Sequence, residues 1–117
     1  MLIIYDSLTG NVERFTKKLE MKCVKIVEGL IVDEPYVLIT YTTGFGQVPL
    51  SVEKFLRKNN VNLKGVIGSG NMNWGSYYNG AAKKISEQYE TPLIHTFELS
   101  GNLNDIEKVK LEVTNIV

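Results

Sequence analysis

This sequence predicts an α/β domain: a parallel sheet of five strands covered by helices on both faces. Two observations carry the prediction. Short apolar runs rich in β-branched and aromatic residues alternate along the chain with segments of helical periodicity. The strongest of those runs is continuously apolar, as a strand buried on both faces must be. At 117 residues, 44% hydrophobic and 22% charged, the chain is long enough for one such core and too short for two. One domain over residues 1–117 is expected.

The first strand is LIIYD at 2–6. From Asn11 onward Val12, Phe15 and Leu19 recur at helical spacing with Glu13, Lys17 and Lys18 between them, an amphipathic helix laid over the sheet. CVKIVE at 23–28 is the second strand, and its alternation places it at a more exposed, edge position. GLIVDEP at 29–35 is too short for a crossover helix, so a turn or irregular connection is expected there. YVLITY at 36–41 is the third strand, entered after Pro35. Pro49 suits a first helical turn, followed by the stripe Val52, Phe55 and Leu56. GVIGS at 65–69 is the fourth strand, with Leu63 as an alternative start. A helix from about Tyr77 to Tyr89 carries Tyr78, Ala81, Ala82, Ile85 and Tyr89 on one face, the alanines allowing close approach to the sheet. LIHTFEL after Pro92 is the fifth strand. Asn102 or Asn104 can cap a last helix with Leu103, Ile106, Val109, Val113 and Ile116 facing inward.

Composition narrows the function. Thirteen basic and thirteen acidic residues give zero formal charge, so the basic footprint of a nucleic-acid binder is missing and no such partner is expected. The single cysteine, Cys23, excludes an internal disulfide, a dithiol pair and a cysteine-built zinc site. At the start of a strand it reads as a buried, inert thiol. His95 lies in a strand pattern with no second histidine or cysteine nearby and reads as structural, so no metal is expected. No stretch approaches the ~20 apolar residues that span a bilayer. MLIIYD has neither the basic flank nor the apolar length of a signal peptide. No membrane partner and a cytoplasmic location are expected.

Three strands run into unusual loops: SLTGN at 7–11, TTGFGQ at 42–47 and GNMNWG at 70–75. In a parallel sheet all three fall at the carboxyl edge, where ligands bind. In the first loop Ser7 and Thr9 offer hydroxyls, Gly10 permits a turn that brings amides inward, and the helix from Asn11 adds free N–H groups. An anion there would be held mainly by neutral donors, since the loop contains no lysine or arginine. A capped turn without a ligand answers to the same composition. The lysine and glycine spacing of a nucleotide triphosphate loop are absent, as is the GxGxxG dinucleotide fingerprint. Phe45 lies between Gly44 and Gly46, and Trp74 between Asn73 and Gly75. Such aromatics either wall a flat ring or fold down as loop anchors. Thr42, Thr43, Asn71 and Asn73 add neutral polar groups. A phosphate cradle and an aromatic slot on one edge suit a mononucleotide with a large flat ring, and flavin mononucleotide (FMN) fits. A phosphorylated receiver domain would need an acidic cluster at the strand ends; Asp6 ends the first strand, but the third ends in Tyr41 and Thr42.

SLTGN resembles the phosphate loop of flavodoxins. TYTTGFGQVP at 40–49, GSGNMNWGSYYNGAA at 68–82 and FELSG at 97–101 resemble one branch more closely: NrdI, the flavodoxin-like family that assists manganese-dependent (class Ib) ribonucleotide reductase. The resemblance covers nearly the whole chain. It implies the strand order 2-1-3-4-5 with FMN at the switch point. Ser7, Thr9, Gly10 and Asn11 would hold the phosphate, with Leu8 and Val12 beside them. Thr42, Thr43, Gly44 and Phe45 would lie along one side of the isoalloxazine. Asn71, Asn73, Trp74 and Gly75 would lie along the other, Trp74 as the stacking ring. Gly44, as the catalytic position, would rotate its peptide near flavin N5 and stabilise a protonated N5 after reduction. The implied function is an accessory redox flavoprotein rather than a stand-alone enzyme. It would supply oxidant, derived from reduced flavin and dioxygen, to the reductase's radical-generating small subunit, with an unidentified flavin reductant upstream. Ordinary flavodoxins are longer and strongly acidic, and this short, neutral chain departs from them. The alternative is a small general electron-transfer flavodoxin.

Overall fold

The computed structural model describes residues 1–116. Strands β1 (Leu2–Tyr5), β2 (Cys23–Lys25), β3 (Tyr36–Tyr41), β4 (Leu63–Gly70) and β5 (Leu93–Glu98) form one sheet in the order β2-β1-β3-β4-β5. Every neighbouring pair is parallel. Helices α1 (Asn11–Leu19), α2 (Leu50–Asn59), α3 (Gly80–Gln88) and α4 (Leu103–Thr114) flank it.

Successive strand residues face opposite sides, and the two sides bury separate clusters. Ile3, Tyr5, Val37, Ile39, Ile67 and Phe97 pack with Val12, Phe15 and Leu19 of α1 and with Ile106, Val109 and Val113 of α4. On the other side Leu2, Ile4, Tyr36, Leu38 and Val66 pack with Val52, Phe55 and Leu56 of α2 and with Ala82 and Ile85 of α3. Burial of each large apolar side chain contributes about 1.5–3 kcal/mol. Phe15 and Phe97 stack with centroids 3.9 Å apart, tying α1 to β5.

Four details differ from the sequence-based expectation. β2 keeps three residues rather than six, because after Ile26 N–H donates to Tyr5 O (2.8 Å) the chain leaves the sheet edge to cross to β3. Cys23 opens β2 but is only half-buried; that burial still pushes its thiol up to about 11. α3 starts at Gly80 rather than near Tyr77, because Asn79 is left-handed at φ 53 and cannot continue a helix from its N-terminal side. Leu103 is 72% exposed rather than inward, because the reciprocal capping box of Asn102 and Asp105 starts α4 ahead of the part that covers the sheet. His95 of β5 is held on Asp105 of the same cap, Nε2 to Oδ1 2.7 Å.

No helix joins β2 to β3, and one side chain does the organising work instead. Asn59, 3% exposed at the end of α2, accepts from Val32 N–H (2.7 Å) and donates to Leu30 O (3.0 Å) and Phe55 O (2.9 Å). Its own carbonyl accepts from the buried Tyr36 hydroxyl at 2.8 Å. The bonds hold Leu30 and Val32 against the core cluster under α2. Asn59→Ala leaves the Val32 amide and the Leu30 carbonyl without this partner, so stability should fall by about 2–3 kcal/mol. Urea unfolding reads it as a lower midpoint at unchanged slope; a shift below about 0.5 kcal/mol would show that the crossover does not depend on Asn59.

Candidate functional site

The strand order reverses between β1 and β3, and a cavity of about 240 Å³ opens beyond the carboxyl ends of β1, β3 and β4. Ligands of open α/β sheets bind at such a switch point.

The β1–α1 loop forms one wall. Asp6 closes β1 and is nearly buried; its Oδ1 accepts from Ser7 N–H at 2.9 Å and its Oδ2 from the Ser51 hydroxyl at the start of α2. The loop is thereby pinned from below. Gly10 turns left-handed at φ 89 and lets the chain enter α1. Arg14 N–H makes the first intrahelical bond, to Gly10 O at 2.9 Å. Glu13 N–H donates to Ser7 Oγ at 3.3 Å. The amides of Asn11 and Val12 precede that bond and belong to the free first turn of the helix, which favours an anion. The loop itself carries no cation, but the fold returns one from α1. The Arg14 guanidinium crosses over Gly10 so closely that a Cβ there would sit 2.7 Å from Nη1. Its Nη2 donates to Asn11 Oδ1 (2.7 Å) and its Nε to Ser100 Oγ (3.0 Å).

The other two loops lock to each other. Thr43 and Gln47 exchange backbone bonds of 2.9 and 2.8 Å, making a tight turn with left-handed Gly44 (φ 54) and Gly46 (φ 80) inside it. Gly46 lies against the first residue of α3, where a Cβ on Gly80 would fall 2.7 Å from Gly46 Cα. Thr42 Oγ1 accepts from Ala81 N–H at 3.2 Å. The 70–75 segment coils into a 3-10 turn over Met72–Tyr77, capped by Asn71 Oδ1 accepting from Asn73 N–H (2.9 Å) and kinked at Gly75. Phe45 at the loop tip meets Tyr77 edge-on at 5.7 Å and Trp74 at 6.4 Å. Burial and the nearby Asp6 carboxylate raise the pKa of Tyr41.

The singled-out residues divide into two sets. Ser7, Leu8, Thr9, Asn11, Val12, Thr42, Gly44, Asn71 and Trp74 line the cavity. Gly10, Thr43, Phe45, Asn73 and Gly75 shape the loops around it without lining it. The cavity also recruits Tyr41, Ser69, Gly70, Tyr77, Tyr78, Asn79 and Leu99. Tyr41, Ser69 and Gly70 were legible as strand-end residues on the carboxyl edge. Tyr78, expected on a helix face, instead precedes the helix, its ring against Gly70. Nothing in the local pattern singled out Asn79 or Leu99.

Strand order and the position of the cleft together make this a flavodoxin-like protein. The family is equally plain. The family model described as "NrdI Flavodoxin like" matches residues 3–111, and the chain belongs to that family. Protein NrdI of Bacillus licheniformis is 48% identical over 116 residues, covering 98% of this chain and 88% of that protein. Protein NrdI of Macrococcus caseolyticus is 43% identical over 117 residues, covering 99% and 91%. The SPbeta prophage-derived protein NrdI of Bacillus subtilis is 42% identical over 113 residues, covering 93% and 88%. Among solved structures, a short-chain flavodoxin associated with a bacterial microcompartment shares the fold at a TM-score of 0.74 and 19% identity, covering 98% of this chain and 94% of that one.

The contact between the two loops is testable. Gly80→Ala gains about 1 kcal/mol of helix propensity but drives a methyl into the Gly46 backbone, an overpacking that costs about 1–3 kcal/mol. Thermal unfolding should show a net loss. Emission of Trp74, the chain's one tryptophan, should change as its contact with Phe45 loosens. An unchanged midpoint and spectrum would mean that the two loops are held independently.

Proposed function

We propose that this chain binds FMN in the switch-point cavity and supplies oxidant, derived from reduced flavin and dioxygen, to the radical-generating small subunit of class Ib ribonucleotide reductase. The observation that supports this reading best is the convergence of a hydroxyl-and-amide loop with two aromatic loops on one cavity, in a member of the NrdI family. The residues present fit the cofactor. Ser7, Thr9 and the first-turn amides of Asn11 and Val12 would hold the phosphate, with Arg14 supplying the nearby positive charge. Thr42, Thr43, Gly44 and Phe45 would flank one side of the ring, and Asn71, Asn73, Trp74 and Gly75 the other.

Bound FMN supplies the redox chemistry, two electrons to dioxygen when reduced. The chain's part is to hold the ring, exclude water and present hydrogen bonds. Trp74, Tyr77, Tyr78 and Leu99 give the cavity apolar walls, which strengthen every polar contact made inside. The Gly44 peptide would offer its carbonyl to a protonated ring nitrogen. An as yet unidentified reductant would restore the reduced state. Zero net charge supports a dedicated partner over a general electron shuttle, whose surface charge steers it to many acceptors.

Titration with FMN should quench flavin fluorescence with saturation at one flavin per chain; no saturable quenching would end the flavin reading. The reduced, FMN-loaded protein mixed with manganese-loaded small subunit and dioxygen should then produce a tyrosyl radical by electron paramagnetic resonance, where free reduced FMN does not. FMN binding without radical formation would leave the electron-transfer flavodoxin as the better reading.

Gly44 has a test of its own. At φ 54 Ala is strained, whereas Asn tolerates the left-handed region; Gln47 Oε1, 2.5 Å from where either Cβ would lie, ends a flexible side chain that moves aside. Gly44→Asn should fold, bind FMN and shift its reduction potentials because the peptide rotates less freely. Unchanged potentials would remove Gly44 from the redox chemistry.

A further inference from the structure

Asn79 immediately precedes α3, where an asparagine ordinarily caps the helix. It makes no capping bond. Its backbone is left-handed, φ 53 and ψ 28, and its side chain lies against β4. The free end of α3 is served instead by Thr42, whose Oγ1 accepts from Ala81 N–H at 3.2 Å. The helix therefore has no use for the Asn79 amide.

That amide is nonetheless fully buried, and neither Oδ1 nor Nδ2 has a hydrogen-bond partner among the described residues. An unpaired buried polar group costs about 1–3 kcal/mol, and roughly 90% of buried polar groups avoid that state. β4 also gives way to it. A Cβ on Gly68 would fall 2.4 Å from Asn79 Oδ1, and one on Gly70 3.1 Å from its Cγ. Two strand glycines thus make room for an amide that bonds to none of the described residues. Asn79 lines the switch-point cavity; its amide atoms have no surface open to it, so a ligand there supplies the missing partner when the side chain turns toward the cavity.

Its place in the sheet says which end of a ligand it meets. The hydroxyl loop follows β1, while Asn79 lies over β4, with β3 between them. Strands are spaced ~4.8 Å apart, so the two are separated by roughly 10 Å. Thr42 of the second loop bonds to the helix that Asn79 precedes, and β4, which Asn79 covers, runs directly into the Trp74 segment.

We propose that Asn79 is a ligand-positioning residue whose amide, donor and acceptor at once, pairs with the polar edge of a flat heteroaromatic ring. In a flavin that edge carries carbonyl oxygens flanking a ring N–H. The inference rests on the flavin reading above and adds to it a side chain that selects the ring rather than the phosphate.

Asn79→Gly removes the amide and keeps a residue suited to φ 53. The ligand-free variant should unfold at the same temperature as the native protein or higher, since an unpaired amide is gone. Its affinity for FMN and for riboflavin, which lacks the phosphate, should fall by the same factor, about tenfold, equivalent to ~1.4 kcal/mol. Unchanged affinity for both flavins would overturn the proposal, as would a loss confined to FMN, which would place Asn79 with the phosphate. If the native protein bound neither flavin, the flavin reading would fall and this inference with it. Native binding with an unaffected variant removes the Asn79 role alone.

Discussion

A parallel sheet cannot turn back on itself with a hairpin; each strand must be followed by a chain segment that returns across one face. Everything else in this molecule follows from that constraint. Each return covers a face and buries it, so β1, β3 and β4 carry apolar residues on both sides. Each strand also ends at the same edge. Three polar, glycine-bearing loops are thereby delivered to one place, and the reversal of strand order between β1 and β3 leaves a cavity among them.

The constraint is met economically between β2 and β3, where no helix is available to cover the sheet. Residues 26–35 cross without regular structure, and an irregular crossing leaves backbone groups to be satisfied. Asn59 meets the Val32 amide and the Leu30 carbonyl from α2, and Asn62 Nδ2 reaches Val32 O at 3.3 Å. A short edge strand and two asparagines thus replace a helix, which explains how five strands fit in 117 residues.

At the cavity the hydrogen bonds are allocated with a consistent result. Asp6 takes the Ser7 amide and the Ser51 hydroxyl, fixing the first loop to α2. Thr42 caps α3, and Gly46 and Gly80 bring the second loop into backbone contact with the start of α3. Once the protein's own needs are met, the first-turn amides of α1 and the Asn79 amide remain, over β1 and β4 on either side of β3. They suit a ligand with an anion at one end and a polar ring at the other.

Much of this was legible in the residues alone. Apolar periodicity gave the strands and helices in order, because burial on a sheet imposes spacings of two and of three to four that no other arrangement requires. The short 29–35 segment announced the missing helix, and the glycine, hydroxyl and aromatic loops announced the functional edge. Tertiary structure alone decided how those loops meet. Arg14 lies on the helix after the hydroxyl loop, and only the turn at Gly10 swings its guanidinium back over it. Leu99 becomes a cavity wall only because its N–H donates to Gly70 O at 2.8 Å, drawing the end of β5 to β4. Asn79 falls inside the helix expected from about Tyr77, and only the packed chain starts that helix at Gly80 with Thr42 bonded to its free end. Local pattern records what a residue needs from its neighbours in sequence. Whether that need has already been met from elsewhere in the chain is settled only when distant segments pack together.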